Sequence, residues 1–142
     1  MHRQAKSLQL RHLDAGSCNG CEQELTALTS RYYDMQQFGL DLVASPRHAD
    51  ALVVTGPVTD TMKEPLRKTW NAVPRPKRLV AFGDCAAGCG VFQEAYASHG
   101  GVAAAFEAPD LVIPGCPPQP ADVLKQIRRL QTGDEKPSAP NP

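Results

Sequence analysis

Three short, unbroken apolar runs set the frame of the chain: Ala51-Leu52-Val53-Val54-Thr55-Gly56, Arg78-Leu79-Val80-Ala81-Phe82-Gly83 and Asp110-Leu111-Val112-Ile113-Pro114-Gly115. A strand covered on both faces of a sheet reads as such a run rather than as an alternation, and sheets covered in this way are usually parallel. Between and after the runs, apolar residues fall at helical spacing. Met62, Leu66, Thr69, Trp70 and Val73 predict a helix over 61–73, with Trp70 in the core, and Val123, Leu124, Ile127 and Leu130 predict one over 120–130. Residues 22–33 form a third helical stretch with Leu25, Leu28 and Tyr32 on one side. Partial alternation over 8–13 predicts the first strand, and 41–44 adds a short one. Strands alternating with helices give an α/β fold: a flavodoxin-like, open, mostly parallel sheet with helices on both faces. The 142 residues suit one domain, 1–131, and the proline- and charge-rich segment 132–142 is expected to be a disordered tail.

Five cysteines change the picture from a fold to a site. Cys18 and Cys21 follow the first predicted strand, Cys85 follows the Val80-Ala81-Phe82 run, and Cys116 follows Val112-Ile113. Carboxyl ends of strands in an open parallel sheet share one edge, so four thiols distant in sequence are expected to meet there. Residues 1–10 hold no apolar signal region, and no apolar run approaches the roughly 20 residues that cross a bilayer. The expectation is a cytoplasmic, reducing compartment, where cysteines are read first as ligands.

Four thiolates without histidine suit zinc or an iron-sulfur cluster. Structural zinc is commonly held by two close Cys-x-x-Cys pairs; here one pair is joined by two isolated cysteines, which favours a multi-atom cluster. Glycines in Ala15-Gly16-Ser17-Cys18-Asn19-Gly20-Cys21 let amides approach cluster sulfides at a helix start, and the prolines of Pro114-Gly115-Cys116-Pro117-Pro118 fix the chain around Cys116.

Charge narrows the field of partners. Fifteen basic residues balance fifteen acidic ones and aromatic residues are few, which argues against nucleic-acid binding. Lys63, Arg67, Lys68, Arg75, Lys77 and Arg78 make a local basic region; a solvated face is the default reading, an acidic partner or anionic membrane surface the alternative. His2, His12 and His99 carry no spacing signal.

Five ordered motifs add a resemblance: Gly16-Ser17-Cys18-Asn19-Gly20-Cys21 with Glu24, Ser45-Pro46-Arg47-His48-Ala49-Asp50, Val54-Thr55-Gly56-Pro57-Val58-Thr59, Gly83-Asp84-Cys85-Ala86 and Pro114-Gly115-Cys116-Pro117-Pro118. Over residues 8–130 the chain resembles the small subunit of membrane-bound, energy-converting [NiFe] hydrogenases, in the superfamily of the cluster-N2 subunit of complex I. The spaced pair Cys18 and Cys21 and the sequence Gly56-Pro57-Val58-Thr59 are similar to the hydrogenase branch. The resemblance implies one proximal 4Fe-4S cluster on Cys18, Cys21, Cys85 and Cys116, exchanging electrons with a large catalytic subunit. It also implies a ferredoxin-like iron-sulfur subunit as electron donor, membrane subunits, and a place on the inner face of the cell membrane.

Glu24 matches a position near the large subunit's metal site, where a carboxyl could relay protons; favourable interaction with the helix dipole is the competing reading, shared with Glu22. Arg47 and His48 are read as partner contacts, cluster-tuning groups, or solvated and capping residues. Cys89 departs from the pattern and is read as a small packed residue rather than a replacement ligand. Two rivals remain: a quinone-reducing, complex I-like partner, and a zinc-stabilised binding module without redox function.

Overall fold

Strands β1 (Leu8–Asp14), β2 (Leu40–Leu42), β3 (Ala51–Thr55), β4 (Arg78–Phe82) and β5 (Leu111–Ile113) form one sheet in the order β2-β1-β3-β4-β5, every pairing parallel. This is the flavodoxin-like order. The structure, a computed structural model, describes residues 7–90 and 95–132. Every residue of the central β3 is buried, as its unbroken apolar run requires, while the edge strands β2 and β5 are three residues each.

Around the sheet lie helices α1 (Gly20–Ala27), α2 (Asp60–Ala72), α3 (Asp84–Ala87), α4 (Val102–Ala105) and α5 (Pro120–Thr132), with short 3-10 turns at Met35–Phe38 and Pro46–His48. Alternate residues of the strands feed two cores. On one face Leu10, Val53, Val80 and Phe82 pack with Leu25 of α1 and Val123 and Ile127 of α5. On the other, Leu52, Val54, Leu79 and Ala81 pack with Leu66 and Trp70 of α2 and with Val102 of α4. Trp70 is therefore core, and Lys77 is engaged with it: its ammonium lies 4.3 Å from the ring centroid and donates to the Trp70 carbonyl at 2.7 Å. Lys63, Arg67 and Lys68 are exposed, with Arg67 paired to Glu64.

The helix expected over 22–33 is shorter than predicted. Beyond Ala27 the amides of Leu28, Thr29 and Ser30 turn to carbonyls three residues back, and the Thr29 hydroxyl donates to the Thr26 carbonyl at 2.7 Å, competing with helical continuation. Tyr32 consequently leaves the core and is 86% exposed; Met35, fully buried, fills the space behind Leu28 and donates its amide to the Leu28 carbonyl. Thermal unfolding should show the difference. Tyr32→Ala is expected to change stability by less than about 0.5 kcal/mol, whereas Leu28→Ala costs about 2–5 kcal/mol.

Helix α5 runs on through Thr132, and the remainder of the expected tail, 133–142, lies outside the described residues, as do residues 1–6. Among the described residues no helix is long and apolar enough to cross a membrane.

Candidate metal centre

Pairing registers bring four strand ends level with one another. Asp14 stands opposite Thr55, Thr55 opposite Phe82, and Phe82 opposite Ile113. Each cysteine of interest lies a few residues beyond that row: Cys18 on the turn into α1, Cys21 in its first turn, Cys85 in α3, Cys116 in the turn after β5. Cys21 is buried, Cys85 partly so, and Cys18 and Cys116 are exposed.

Backbone bonds tie the loops to one another. Gly83 N–H donates to the Ile113 carbonyl and Asp84 N–H to the Gly115 carbonyl, both at 2.8 Å, while the Asp84 carboxylate accepts Gly115 N–H at 2.8 Å. The turns carrying Cys85 and Cys116 are thus fixed side by side. On the β1 side, the Asp14 carboxylate accepts the amides of Gly16 and Ser17 at 3.0 and 2.7 Å. Behind that loop, Gly56 has φ +90°, and a Cβ there would lie 2.6 Å from Ser17 N.

The cysteine loops meet at Gly83. A Cβ on Gly83 would lie 2.7 Å from Cys21 Sγ and 3.4 Å from the Gly115 carbonyl, so the Cys21 sulfur rests directly against the backbone leading to Cys85. Burial first, and then Glu22, Cys18, Cys85 and Cys116 in that order, push the Cys21 thiol up to about 12. The other three thiols are therefore close enough to act on it electrostatically. These four residues could hold a metal centre. Among the described residues no three His, Cys, Asp or Glu side chains are placed to hold a single metal ion. With no metal bound, iodoacetamide is expected to alkylate Cys18 and Cys116 at least about tenfold faster than Cys21, which is buried and holds its proton; peptide mapping reads the order.

Cys89 is exposed rather than packed, with its amide donating to the Asp84 carbonyl at 3.0 Å. Glu24 is partly buried on α1 and has no side-chain hydrogen bond or ion pair among the described residues. Arg47 and His48 are exposed in a 3-10 turn, Pro46–His48, ahead of β3 and therefore at the amino edge of the sheet. The five residues of β3, about 16 Å at 3.3 Å each, separate them from the thiols, so contact tuning of that site is corrected.

Sequence reasoning did not join four polar side chains around the loop of Cys18 and Cys21: His12, Ser17, Glu22 and Thr55. Thr55, fully buried, donates its hydroxyl proton to Glu22 Oε1 and lies 2.9 Å from His12 Nε2. Having spent its one proton on Glu22, Thr55 must accept from His12, which puts the imidazole proton on Nε2. Ser17 Oγ donates to Glu22 Oε2 at 2.8 Å and accepts the Asn19 amide at 3.3 Å. Burial holds His12 below its ordinary value, against the opposing pull of Glu22 and Asp14.

A family model described as NADH ubiquinone oxidoreductase, 20 Kd subunit, matches residues 18–130, a stretch that contains all five cysteines. The chain belongs to this family. It is 41% identical over 119 residues to formate hydrogenlyase subunit 7 of Escherichia coli, covering 84% of this chain and 46% of that protein. Over 116 residues it is 42% identical to the probable membrane-bound hydrogenase subunit mbhJ of Pyrococcus furiosus, covering 82% and 69%. The chain thus spans about half the length of the first of these relatives. Among solved structures, it superposes with a TM-score of 0.74 and 28% identity on a chain of the membrane-bound sulfane sulfur reductase, an archaeal respiratory membrane complex, covering 97% of this chain and 76% of that one.

Proposed function

We propose that this family member is a small subunit that carries one 4Fe-4S cluster on Cys18, Cys21, Cys85 and Cys116 and exchanges electrons with the catalytic large subunit of a membrane-associated, [NiFe]-hydrogenase-like complex. One observation carries the reading: the loops after β1, β4 and β5 meet at Gly83, where the Cys21 sulfur packs against the backbone that leads to Cys85 and is bonded to the turn of Cys116. The donor set fits the group. A core several ångströms across takes thiolates spaced more widely than one ion would, and glycines at 83 and 90 leave room beside the Cys21 and Cys85 sulfurs, where a Cβ would come within 2.7 Å of each.

When bound, the cluster supplies one-electron transfer without a bond being made or broken in this chain. The protein's own part is to hold still. Asp14 pins the loop of Cys18, and Asp84 locks the turns of Cys85 and Cys116 together, which limits reorganisation as charge arrives. Electrons would pass to the large subunit on the side of Cys18 and Cys116, which are exposed. Glu24, partly buried one turn into α1, is the carboxyl we assign to proton relay toward that partner. A ferredoxin-like subunit would deliver electrons, and the complex would sit on the cytoplasmic face of the membrane through its membrane subunits. The relatives' names as subunits of a formate hydrogenlyase and a membrane-bound hydrogenase support this assembly.

Anaerobic purification of the intact complex tests the reading. Iron and acid-labile sulfide, broad visible absorption and an EPR signal on reduction are expected. Zinc without sulfide would replace the reading with a structural zinc module. The second reading, a quinone-reducing partner, is favoured by the family's own description as a subunit of NADH ubiquinone oxidoreductase. Nickel with hydrogen activity, against quinone reduction without nickel, separates the two.

A further inference from the structure

We propose that Thr55 is a positioning residue: through Glu22 and Ser17 it braces the loop that carries Cys18 and Cys21, and it thereby sets the electrostatic surroundings of the cluster assigned above, on which this inference rests. Thr55 closes β3 in the row where four strands end, between Asp14 and Phe82, and its side chain is wholly buried. Its hydroxyl joins two elements. It accepts from His12 of β1 and donates to Glu22 of α1, residues ten positions apart in sequence and on opposite sides of the cysteine loop.

Hydrogen bonds run in one direction along each of two arms that meet on the Glu22 carboxylate. From the sheet, His12 Nε2–H donates to Thr55, and Thr55 donates to Oε1; from the loop, Asn19 N–H donates to Ser17, and Ser17 donates to Oε2. Both carboxylate oxygens are therefore held by donors. Asn19 lies between the two cysteines, so displacement of Glu22 is transmitted to the segment that spaces their sulfurs.

A carboxylate beside an anionic cluster opposes its reduction, since each electron added meets a like charge. Glu22 follows Cys21 directly in α1, and Ser17, next to Cys18, donates to its carboxylate, so this charge sits against the loop that carries both sulfurs. Donation from Thr55 and Ser17 spreads that charge and moderates the opposition. Loss of Thr55 donation and loss of the Glu22 charge must then move the potential in opposite directions.

Three variants of the full chain in its complex read this out by redox titration of the cluster EPR signal. Thr55→Val, of nearly the same shape, is expected to lower the midpoint potential enough to cut the reduced-to-oxidised ratio about tenfold at fixed potential, ~59 mV for one electron. Thr55→Ser, which keeps the hydroxyl, should restore the wild-type value, and Glu22→Gln should raise the potential. A Thr55→Val protein that titrates like wild type, or that shifts in the same direction as Glu22→Gln, would overturn the brace. Should Thr55→Val fail to retain its cluster, Glu22→Gln decides: an unchanged potential refutes the proposal. A wild-type protein without a titratable signal would instead defeat the cluster assignment. In that event hydrogen exchange of the cluster-free full chain still tests the brace, with faster exchange of the Asn19 amide expected in Thr55→Val and equal rates counting against it.

Discussion

Cys116→Ser is expected to lose most of its iron and sulfide while the fold stands. Cys116 is exposed in the turn after β5, and neither hydrophobic core contains it. Its neighbours fix the turn without help from the side chain: Asp84 N–H bonds the Gly115 carbonyl, and the Asp84 carboxylate takes Gly115 N–H. Replacing sulfur by oxygen there removes a soft thiolate donor and almost nothing else, so the unfolding free energy of the cluster-free chain should change by less than about 0.5 kcal/mol. The loaded protein behaves differently. With three thiolates left, the cluster is exposed to hydrolysis at one corner, and the iron-to-protein ratio after gel filtration should fall several-fold. Cys89→Ser is the matched control, an exposed cysteine on the neighbouring turn, and it should retain full iron. Equal iron in Cys116→Ser and wild type would remove Cys116 from the site; equal loss in both variants would show that Cys89 is a ligand after all.

The placement of the cysteine-bearing loops at one sheet edge was legible in the sequence because a parallel sheet makes a strong geometric statement. Once three unbroken apolar runs are read as buried strands, their carboxyl ends must lie on one edge, and the cysteines a few residues beyond each run must converge. The same logic located the ends of β3 and β4 correctly, since glycines at 56 and 83 follow directly on both. Features set by one hydroxyl or by register were not legible. The end of α1 depends on Thr29 competing for a carbonyl, and no period of apolar residues encodes that choice. His12, Glu22 and Thr55 come together only because β1 pairs with β3 in one particular register, joining positions 43 residues apart. Arg47 and His48 show the reverse failure. A matched motif told that the stretch is family-like, but only its place ahead of β3 told that it lies at the edge away from the thiols.

Gly83→Ala concentrates the geometry of the site in one methyl group. Gly83 has φ +91°, a conformation that side chains with a Cβ rarely adopt, so alanine carries a backbone cost of about 1–3 kcal/mol before any contact is counted. The contact is worse. The added carbon would lie 2.7 Å from Cys21 Sγ, well inside the roughly 3.5–4 Å at which non-bonded heavy atoms attract. Retreat of the backbone is blocked, because Gly83 N–H is bonded to the Ile113 carbonyl and the next amide to Gly115. The sulfur must therefore move, and it cannot move far: Cys21 is buried in the core that also holds Leu25 and Phe82. Strain and displacement act together, so Gly83→Ala should lower the urea midpoint and reduce cluster content to a small fraction of wild type. Gly20→Ala supplies the comparison from the other side of the same site. Its Cβ would meet Cys18 Sγ at 3.6 Å, an ordinary contact, and alanine is the better helix former in the first turn of α1. Full cluster content in Gly20→Ala beside loss in Gly83→Ala would locate the tight point of the site at the Cys21 sulfur, whereas full content in both would mean that Cys21 has room to spare and is not gripped as the structure requires.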